Sequence, residues 1–326
     1  MKKNSFLILF ALISIVSCDD DHKNNPQIVT DLNNQNVTSL AIDNTNALWA
    51  GTDSGLYKKV NSGYQQIDIK SDAGVTALGY EKPNNILWVG TTEGLIKVTL
   101  AGNKTSSVAI PVENMSYDSV SSVYVTQDSE RWFGTGYGVT RNLLELWQKE
   151  KFKKNLSGTI SAAAFEKVGI NSIASWDGDF YFASNGRSVY RAYGWNSTIS
   201  AFTGATQLLK PYNGTNLSDT AFVVFVDSQS RQWMGGREGL VMHIGHDPKA
   251  ENTSFYSELV NPRVHCIAEA PDGKIWAGTE KGISIYDGTN WTPLTANLPN
   301  NYVTAIAFES NGKTWIGTKA GIISLD

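Results

Sequence analysis

The sequence predicts an all-β fold, a single seven-bladed β-propeller built from four-stranded antiparallel blades. A short phrase recurs seven times: an aromatic residue closes a β-rich run, Gly-Thr follows in most copies, and a second Gly comes shortly after. The copies are headed by Trp49, Trp88, Trp132, Tyr181, Trp233, Trp276 and Trp315. Trp49 and Trp315 are 266 residues and six intervals apart, so the repeat is about 44 residues long, the size of one propeller blade.

The first eighteen residues are predicted to be a targeting segment. Lys2 and Lys3 precede an apolar stretch, 6–16, that is too short to span a bilayer. It ends in Ile-Val-Ser-Cys at Cys18, which resembles the lipobox of bacterial lipoproteins. The resemblance implies a signal peptide at 1–17 and a lipid on Cys18 that holds the protein on a membrane. An ordinary signal peptide with an incidental Cys18 is the alternative.

Residues 18–26 are predicted to form a polar, disordered tether. Three aspartates follow Cys18 directly and resemble a surface-export signal of one large group of Gram-negative bacteria. In enterobacteria a similar aspartate favours retention at the inner membrane instead. We expect the outer membrane, with the protein either periplasmic or surface-exposed.

Each repeat divides into four strands joined by tight turns. In the first repeat, alternation predicts an inner strand at 37–43 and three further strands at 47–52, 55–60 and 63–69. The first Gly of the phrase allows a neighbouring blade to approach closely, and the second fits a turn with positive φ. The aromatic residues of the phrase are therefore predicted to be core.

The two ends of the chain predict how the ring closes. Residues 27–60 align without a gap onto 293–326, and the last copy stops after its third strand. Gln27–Leu32 match the outer-strand stretch Pro293–Leu298. We therefore expect the N-terminal strand to complete the C-terminal blade, giving one domain over 27–326 with few open sheet edges.

Charge and cysteine content exclude some classes of function. A net charge of −4 and a pI near 5.6 give no basic surface for nucleic acid. Because Cys18 is assigned to lipid, Cys266 has no partner for a disulfide and is expected to be a small buried hydrophobe. We expect a monomer.

The complete pattern, Val-x-x-Ile through a polar turn to Leu/Ile-Trp-x-Gly-Thr-x-x-Gly-Leu/Ile, is similar to the two-component regulator propeller repeat over 27–326. The resemblance implies a relation to the extracytoplasmic sensor regions of hybrid histidine kinases that respond to carbohydrates. This sequence has a single ring and no kinase or immunoglobulin-like domain, so direct signalling is not expected.

Propellers usually bind ligands on the face formed by the loops before each inner strand and by the turns between second and third strands. We expect this upper face to bind a ligand, since its side chains are suited to stacking and bidentate recognition. The candidate residues are Tyr137, Arg187, Arg237, Glu238, Arg263, His265 and Tyr302. Solvated loop side chains are the alternative for each of them. The long stretch Asn155–Gly169, beside the degenerate fourth copy, is a second place to expect a partner, or a product of neutral drift.

Three functions follow as hypotheses. The first is a non-catalytic, lipid-anchored binding module for a glycan or peptide. The second is a protein–protein interaction scaffold of an envelope complex. The third is a lyase or hydrolase in which His265 acts with Glu238 or Glu280. No nucleophile elbow, phosphate loop or metal triad is visible, so we expect no catalysis, no cofactor and no metal site.

Overall fold

The computed structural model describes residues 28–29, 31–61, 63–102, 104–111, 118–143, 146–150, 168–186, 188–196, 201–207, 220–246 and 252–325. Within these ranges the chain forms seven antiparallel sheets, which confirms the predicted seven-bladed, all-β propeller. These ranges contain no helix of the length and apolarity needed to cross a membrane. The predicted signal peptide, Cys18 and tether lie outside the described residues and stay predictions.

Each blade runs through antiparallel neighbours from an inner to an outer strand. Blade 1 holds β2 (Val37–Ile42), β3 (Leu48–Thr52), β4 (Gly55–Val60) and β5 (Gly63–Ile67), preceded in the chain by β1 (Ile28–Val29). Blade 2 holds β6 (Val75–Glu81), β7 (Ile86–Thr91), β8 (Gly94–Ala101) and β9 (Lys104–Ile110). Blade 3 holds β10 (Val120–Val125), β11 (Arg131–Thr135), β12 (Gly138–Leu143) and β13 (Leu146–Glu150).

The remaining blades repeat this order. Blade 4 holds β14 (Ile170–Trp176), β15 (Asp179–Ser184), β16 (Ser188–Asn196) and β17 (Ala201–Gln207). Blade 5 holds β18 (Ala221–Val226), β19 (Arg231–Gly236), β20 (Leu240–Ile244) and β21 (Thr253–Tyr256). Blade 6 holds β22 (Val264–Glu269), β23 (Ile275–Thr279), β24 (Gly282–Tyr286) and β25 (Trp291–Leu294). Blade 7 holds β26 (Val303–Phe308), β27 (Thr314–Thr318) and β28 (Gly321–Leu325).

The ring closes differently from the prediction. Ile28–Val29 pair with β5 of blade 1, and the described part of blade 7 has three strands. Leu32, only 2% exposed, packs in one cluster with Trp315 of blade 7 and Tyr64 of blade 1. Leu32 therefore contacts both blades at the junction, and the backbone N–H of Asn34 donates to the carbonyl of Ala320 in blade 7 at 3.2 Å. The inner strands supply further closing contacts, since β26 packs against β2 as every other inner strand packs against its neighbour.

A glycine and a branched side chain fit together at most blade junctions. A Cβ on Gly317 would lie 2.7 Å from Cγ1 of Val37, the first residue of the next inner strand, and a Cβ on Gly90 would lie 2.8 Å from Cγ1 of Val120. The predicted close approach at the first Gly is thus made by a β-branched side chain of the neighbouring blade. At the junction of blades 4 and 5 the pair is instead Ala183 and Ala221, both fully buried in one cluster.

Six of the seven aromatic residues of the phrase are buried in the core between blades, as predicted, and Trp276 is partly buried. Trp49, Trp88, Trp132, Tyr181 and Trp233 have no exposed surface. A carboxylate that follows or ends the inner strand accepts the indole N–H in four blades, a pairing that burial of an indole requires. These pairs are Trp49 with Asp43 (2.9 Å), Trp88 with Glu81 (2.7 Å), Trp233 with Asp227 (2.7 Å) and Trp315 with Glu309 (2.7 Å).

Candidate functional site

A bulge at the start of each inner strand turns one side chain toward the next blade. The register shifts after the first residue of every inner strand, for example between Val37 and Ser39. In five blades the residue at the bulge donates a hydrogen bond to the carbonyl of the first residue of the next inner strand. These pairs are Thr38 to Val75, Thr76 to Val120, Ser121 to Ile170, Asn171 to Ala221 and Thr304 to Val37.

We call these five hydrogen bonds the belt. In blades 5 and 6 the belt is interrupted, because aromatic rings replace the hydrogen-bonding side chains. Phe222 and His265 occupy the bulge positions, and their ring centroids are 4.8 Å apart with planes inclined by 17°. His265 in turn stacks on Tyr302, which precedes β26, with centroids 4.7 Å apart. Nζ of Lys319 lies 3.6 Å from the centroid of the Tyr302 ring. We call Phe222, His265, Tyr302 and Lys319 the stacked row; it joins blades 5, 6 and 7 on the upper face.

Charged groups flank the row. Oε1 of Glu280, in the turn between β23 and β24, lies 3.3 Å from Nε2 of His265 and 3.3 Å from Nη1 of Arg263. Burial lowers the pKa of His265 below its ordinary value, although Glu280 acts in the opposite direction. Burial raises the pKa of Glu280, but hydrogen bonds from His265 and Arg263 outweigh it, so the net pKa is lowered. At neutral pH the row therefore holds a neutral imidazole beside an ionised carboxylate.

Tyr302 is fixed from two sides. Its backbone N–H donates to Oδ1 of Asn300 at 2.7 Å, and its carbonyl accepts from the backbone N–H of Lys319 at 3.2 Å. Burial, with a contribution from Glu280, raises the pKa of the Tyr302 phenol, so the hydroxyl stays protonated and can donate. Together with the flanking Arg263 and Glu280, the stacked row thus offers a hydroxyl, an imidazole, two cations and a carboxylate on a rigid aromatic base.

The structure brings together three of the predicted site residues, Arg263, His265 and Tyr302. Arg237 and Glu238 are exposed at the turn between β19 and β20 of blade 5. Tyr137 is 50% exposed at the corresponding turn of blade 3, away from blades 5 to 7. Arg187 lies outside the described residues, as do residues 155–167 of the long stretch.

Phe222 was not among the predicted site residues. It follows Ala221 at the position that holds Thr, Ser or Asn in five other copies, and His265 occupies the same position in its own copy. Comparison of this single position across the repeats would have identified both residues. The signal for both residues is a large ring at a position that holds a small hydrogen-bonding side chain in the other copies.

The third hypothesis depends on the acidic groups that surround His265. Among the described residues, no group of three or more His, Cys, Asp or Glu side chains is arranged to hold a metal ion. The third hypothesis requires His265 to converge with two carboxylates. In the described part of the chain, a hydrogen bond joins His265 to one carboxylate, that of Glu280. The arrangement is suited to holding a polar ligand through hydrogen bonds and ion pairs.

Comparisons with known proteins agree with this fold. A family model described as "Two component regulator propeller" matches residues 258–281 and 297–320, which carry the sixth and seventh copies of the phrase. This match confirms the resemblance that the sequence predicted. Among curated proteins, none matches the chain.

Solved structures with the same fold have different functions. The extracellular domain of a putative hybrid two-component system from B. thetaiotaomicron is 22% identical over 90% of this chain, with a TM-score of 0.70. This chain spans 39% of that chain's length. The WD40 propeller domain of Doa1 (15% identity, TM-score 0.63) matches 92% of this chain and 96% of its own. A virginiamycin B lyase from Staphylococcus aureus (11% identity, TM-score 0.65) matches 92% of this chain and 98% of its own. At these identities the likeness shows the fold alone.

Proposed function

We propose that this seven-bladed propeller, which carries two-component regulator propeller repeats, is a non-catalytic extracytoplasmic module that binds a polar ligand at the stacked row. A glycan is the first candidate and a peptide the second. In the same proposal, the lipid on Cys18 anchors the module to the cell envelope, most simply at the outer membrane. The observation that carries the proposal is the break in the belt of hydrogen bonds at Phe222 and His265.

Stability alone does not account for this break. A Thr at either position could donate to a neighbouring backbone carbonyl, as Thr304 does to Val37. Such a hydrogen bond contributes about 1 kcal/mol. Residues that depart from a repeated local solution often do so for function, at some cost in stability. The departure also brings Arg263 and Lys319, two cations, to the same place.

The geometry favours a ligand rich in hydroxyl groups. The rings of Phe222, His265 and Tyr302 cover one another's faces, so a ligand meets mainly their edges and polar atoms. Glu280 can accept from hydroxyls, while Arg263 can donate to ring oxygens or to a carboxylate. The likeness to an extracellular domain of a hybrid two-component system supports an extracytoplasmic binding role.

A glycan-array screen of the full chain, followed by calorimetry on the best ligand, tests this proposal. The double variant Phe222→Thr/His265→Thr is expected to lose binding while its Tm stays the same or rises, because each Thr can extend the belt. Asn311→Ala, in the turn between β26 and β27 on the opposite face, serves as the matched control and should bind normally. If the double variant binds as well as wild type, the stacked row is not the site.

The other hypotheses predict different outcomes. A scaffold would capture an envelope protein, and the double variant would still capture it. A lyase or hydrolase would turn over a ligand, and His265→Asn would then abolish turnover while leaving affinity largely intact. Binding without turnover, lost in the double variant, supports the module over both.

A further inference from the structure

A cavity lies between blades 6 and 7 on the face opposite the stacked row. It has a volume of about 490 Å³, and its walls include Ala270, Trp276, Ile285 and Phe308. Trp276 and Phe308 meet edge to face with ring centroids 5.5 Å apart. This cavity is separate from the stacked row, because it lies at the ends of the inner strands rather than at their beginnings.

The cavity coincides with a missing carboxylate. Asp227 accepts a hydrogen bond from the Trp233 indole in blade 5, and Glu309 accepts one from Trp315 in blade 7. In blade 6 the equivalent position is Ala270. The turn itself is unchanged: the backbone N–H of Ala270 donates to the carbonyl of Lys274 at 2.8 Å, as that of Asp227 donates to Arg231 at 3.1 Å.

The Trp276 indole N–H is consequently buried with no acceptor among the described residues. A buried donor without an acceptor is destabilising, and four other copies of the phrase give the indole a carboxylate acceptor, so the lone donor in blade 6 needs an explanation. An acceptor atom supplied from outside the chain would remove the penalty. Ala270 and Trp276 both line the cavity, and because the indole nitrogen itself has almost no accessible surface, a ligand there reaches it through a small shift of the cavity wall.

Blade 5 indicates the chemistry of the missing group. There a single oxygen, Oδ2 of Asp227, accepts from the Trp233 indole at 2.7 Å and from Nε of Arg231 at 2.5 Å. Lys274 stands two residues before Trp276, as Arg231 stands two residues before Trp233. In the absence of an internal acid, Nζ of Lys274 pairs with the exposed Asp272 at 2.6 Å. The other acid at the cavity, Asp287, already accepts the backbone N–H groups of Thr289 and Asn290.

We propose that this cavity binds a small organic carboxylate with an apolar or planar body. One carboxylate oxygen accepts from the Trp276 indole N–H, and Lys274 supplies the counter-charge. The body of the ligand packs on Trp276, Phe308 and Ile285. The ligand thereby takes the place of the acidic side chain that Ala270 lacks.

Indole NMR of the full chain, labelled with ¹⁵N at tryptophan, tests the proposal with benzoate as the probe. Trp276→Phe identifies the Trp276 resonance by its absence. Benzoate is expected to shift that resonance downfield in a saturable way, and benzamide, which lacks the charge, should bind about tenfold more weakly. An unshifted Trp276 resonance at high benzoate, or equal affinity for benzamide, would overturn the proposal.

Three further variants sharpen the test. Ala270→Asp supplies the acceptor from within, so it should raise the Tm, shift the Trp276 resonance without ligand and weaken benzoate binding by about tenfold. Lys274→Gln should weaken benzoate, whereas Asp272→Asn, which frees Lys274 and removes a like charge, should tighten it by about threefold. Opposite effects of Lys274→Gln and Asp272→Asn on benzoate affinity distinguish a carboxylate site from a general apolar pocket. If Ala270→Asp binds benzoate like wild type, the ligand does not occupy the missing side chain's place.

Discussion

Replacement of Gly317 by Ala should destabilise the ring at the junction of blades 7 and 1. The new Cβ would lie 2.7 Å from Cγ1 and 3.2 Å from Cβ of Val37. Carbon atoms pack best at about 3.5–4.0 Å, so the methyl group intrudes by roughly 0.8 Å into a fully buried contact. The φ angle of Gly317 lies outside the left-handed region, so no backbone strain accompanies the change.

The size of the effect combines two opposing contributions. Overpacking of a core costs about 1–3 kcal/mol. Replacement of Gly by Ala where the backbone allows it gains about 0.4–1 kcal/mol through the unfolded chain. We expect a net loss of about 1–2 kcal/mol in the free energy of unfolding, measured by urea titration of the full chain and followed by tryptophan fluorescence.

A second substitution should relieve the clash. Val37→Ala alone leaves a cavity and costs about 2 kcal/mol. Combined with Gly317→Ala it recreates the natural pair Ala183 and Ala221, so the double variant should be more stable than the sum of the single changes by about 1 kcal/mol. Gly169→Ala is the control, because its Cβ would meet nothing closer than 3.6 Å. Additive effects in the double variant would refute the proposed steric fit.

Three further outcomes are expected. Burial raises the pKa of Glu81, but hydrogen bonds from Arg131, Asn84 and Trp88 outweigh the effect of burial and lower the pKa below 4.5. The ionised Glu81 therefore stabilises the fold above pH ~4.5, and this stabilisation is lost as the pH falls through the folded-state pKa. Glu81→Gln should therefore lower the Tm at pH 7, with a gap to wild type that narrows in melts below pH 4.5; a constant gap would contradict this assignment. Cys266 is partly buried rather than fully buried as expected, and burial of its thiol raises its pKa to about 12. In a Cys18→Ser chain a thiol reagent should therefore label Cys266 far more slowly in the native protein than in the unfolded one, and equal rates would contradict the raised pKa. Thr304→Val removes the hydrogen bond to the Val37 carbonyl and should cost about 1 kcal/mol in urea titrations, whereas no loss would mean that the belt adds nothing to ring closure.

The number and kind of blades could be predicted because each repeat carries the same local information. The aromatic residue, the two glycines and the polar turns correspond to contacts that recur in most blades, so their period is visible in one sequence. The closing strand was harder. Alignment of the two chain ends correctly matches the inner strands that begin at Val37 and Val303. The partner of Ile28–Val29, which is β5 of blade 1, is a tertiary contact that the alignment does not contain.

The candidate site was predicted only in part for a related reason. Arg263, His265 and Tyr302 were placed on one face by counting strands and turns. Their mutual contacts depend on which blades are neighbours and on the bulge that turns His265 sideways. Phe222 can be recognised as a site residue only when the bulge position is compared across all seven copies. The cavity at Ala270 is a similar case, because its signal is the absence of a carboxylate that four other copies contain.

The pair Ala183 and Ala221 gives the ring an order. Most junctions use a glycine against a branched residue, so on packing grounds their blades are interchangeable. If blade 4 were placed beside an inner strand that begins with Val, Ala183 would clash with that Val, as the new methyl group of Gly317→Ala clashes with Val37. If a blade with glycine at this position were placed beside Ala221, the small side chains would leave a void. Because one junction packs differently from the others, rings that skip a blade or exchange blades between two molecules are less stable than the correct ring. Such misassembly is a known hazard for chains made of similar units.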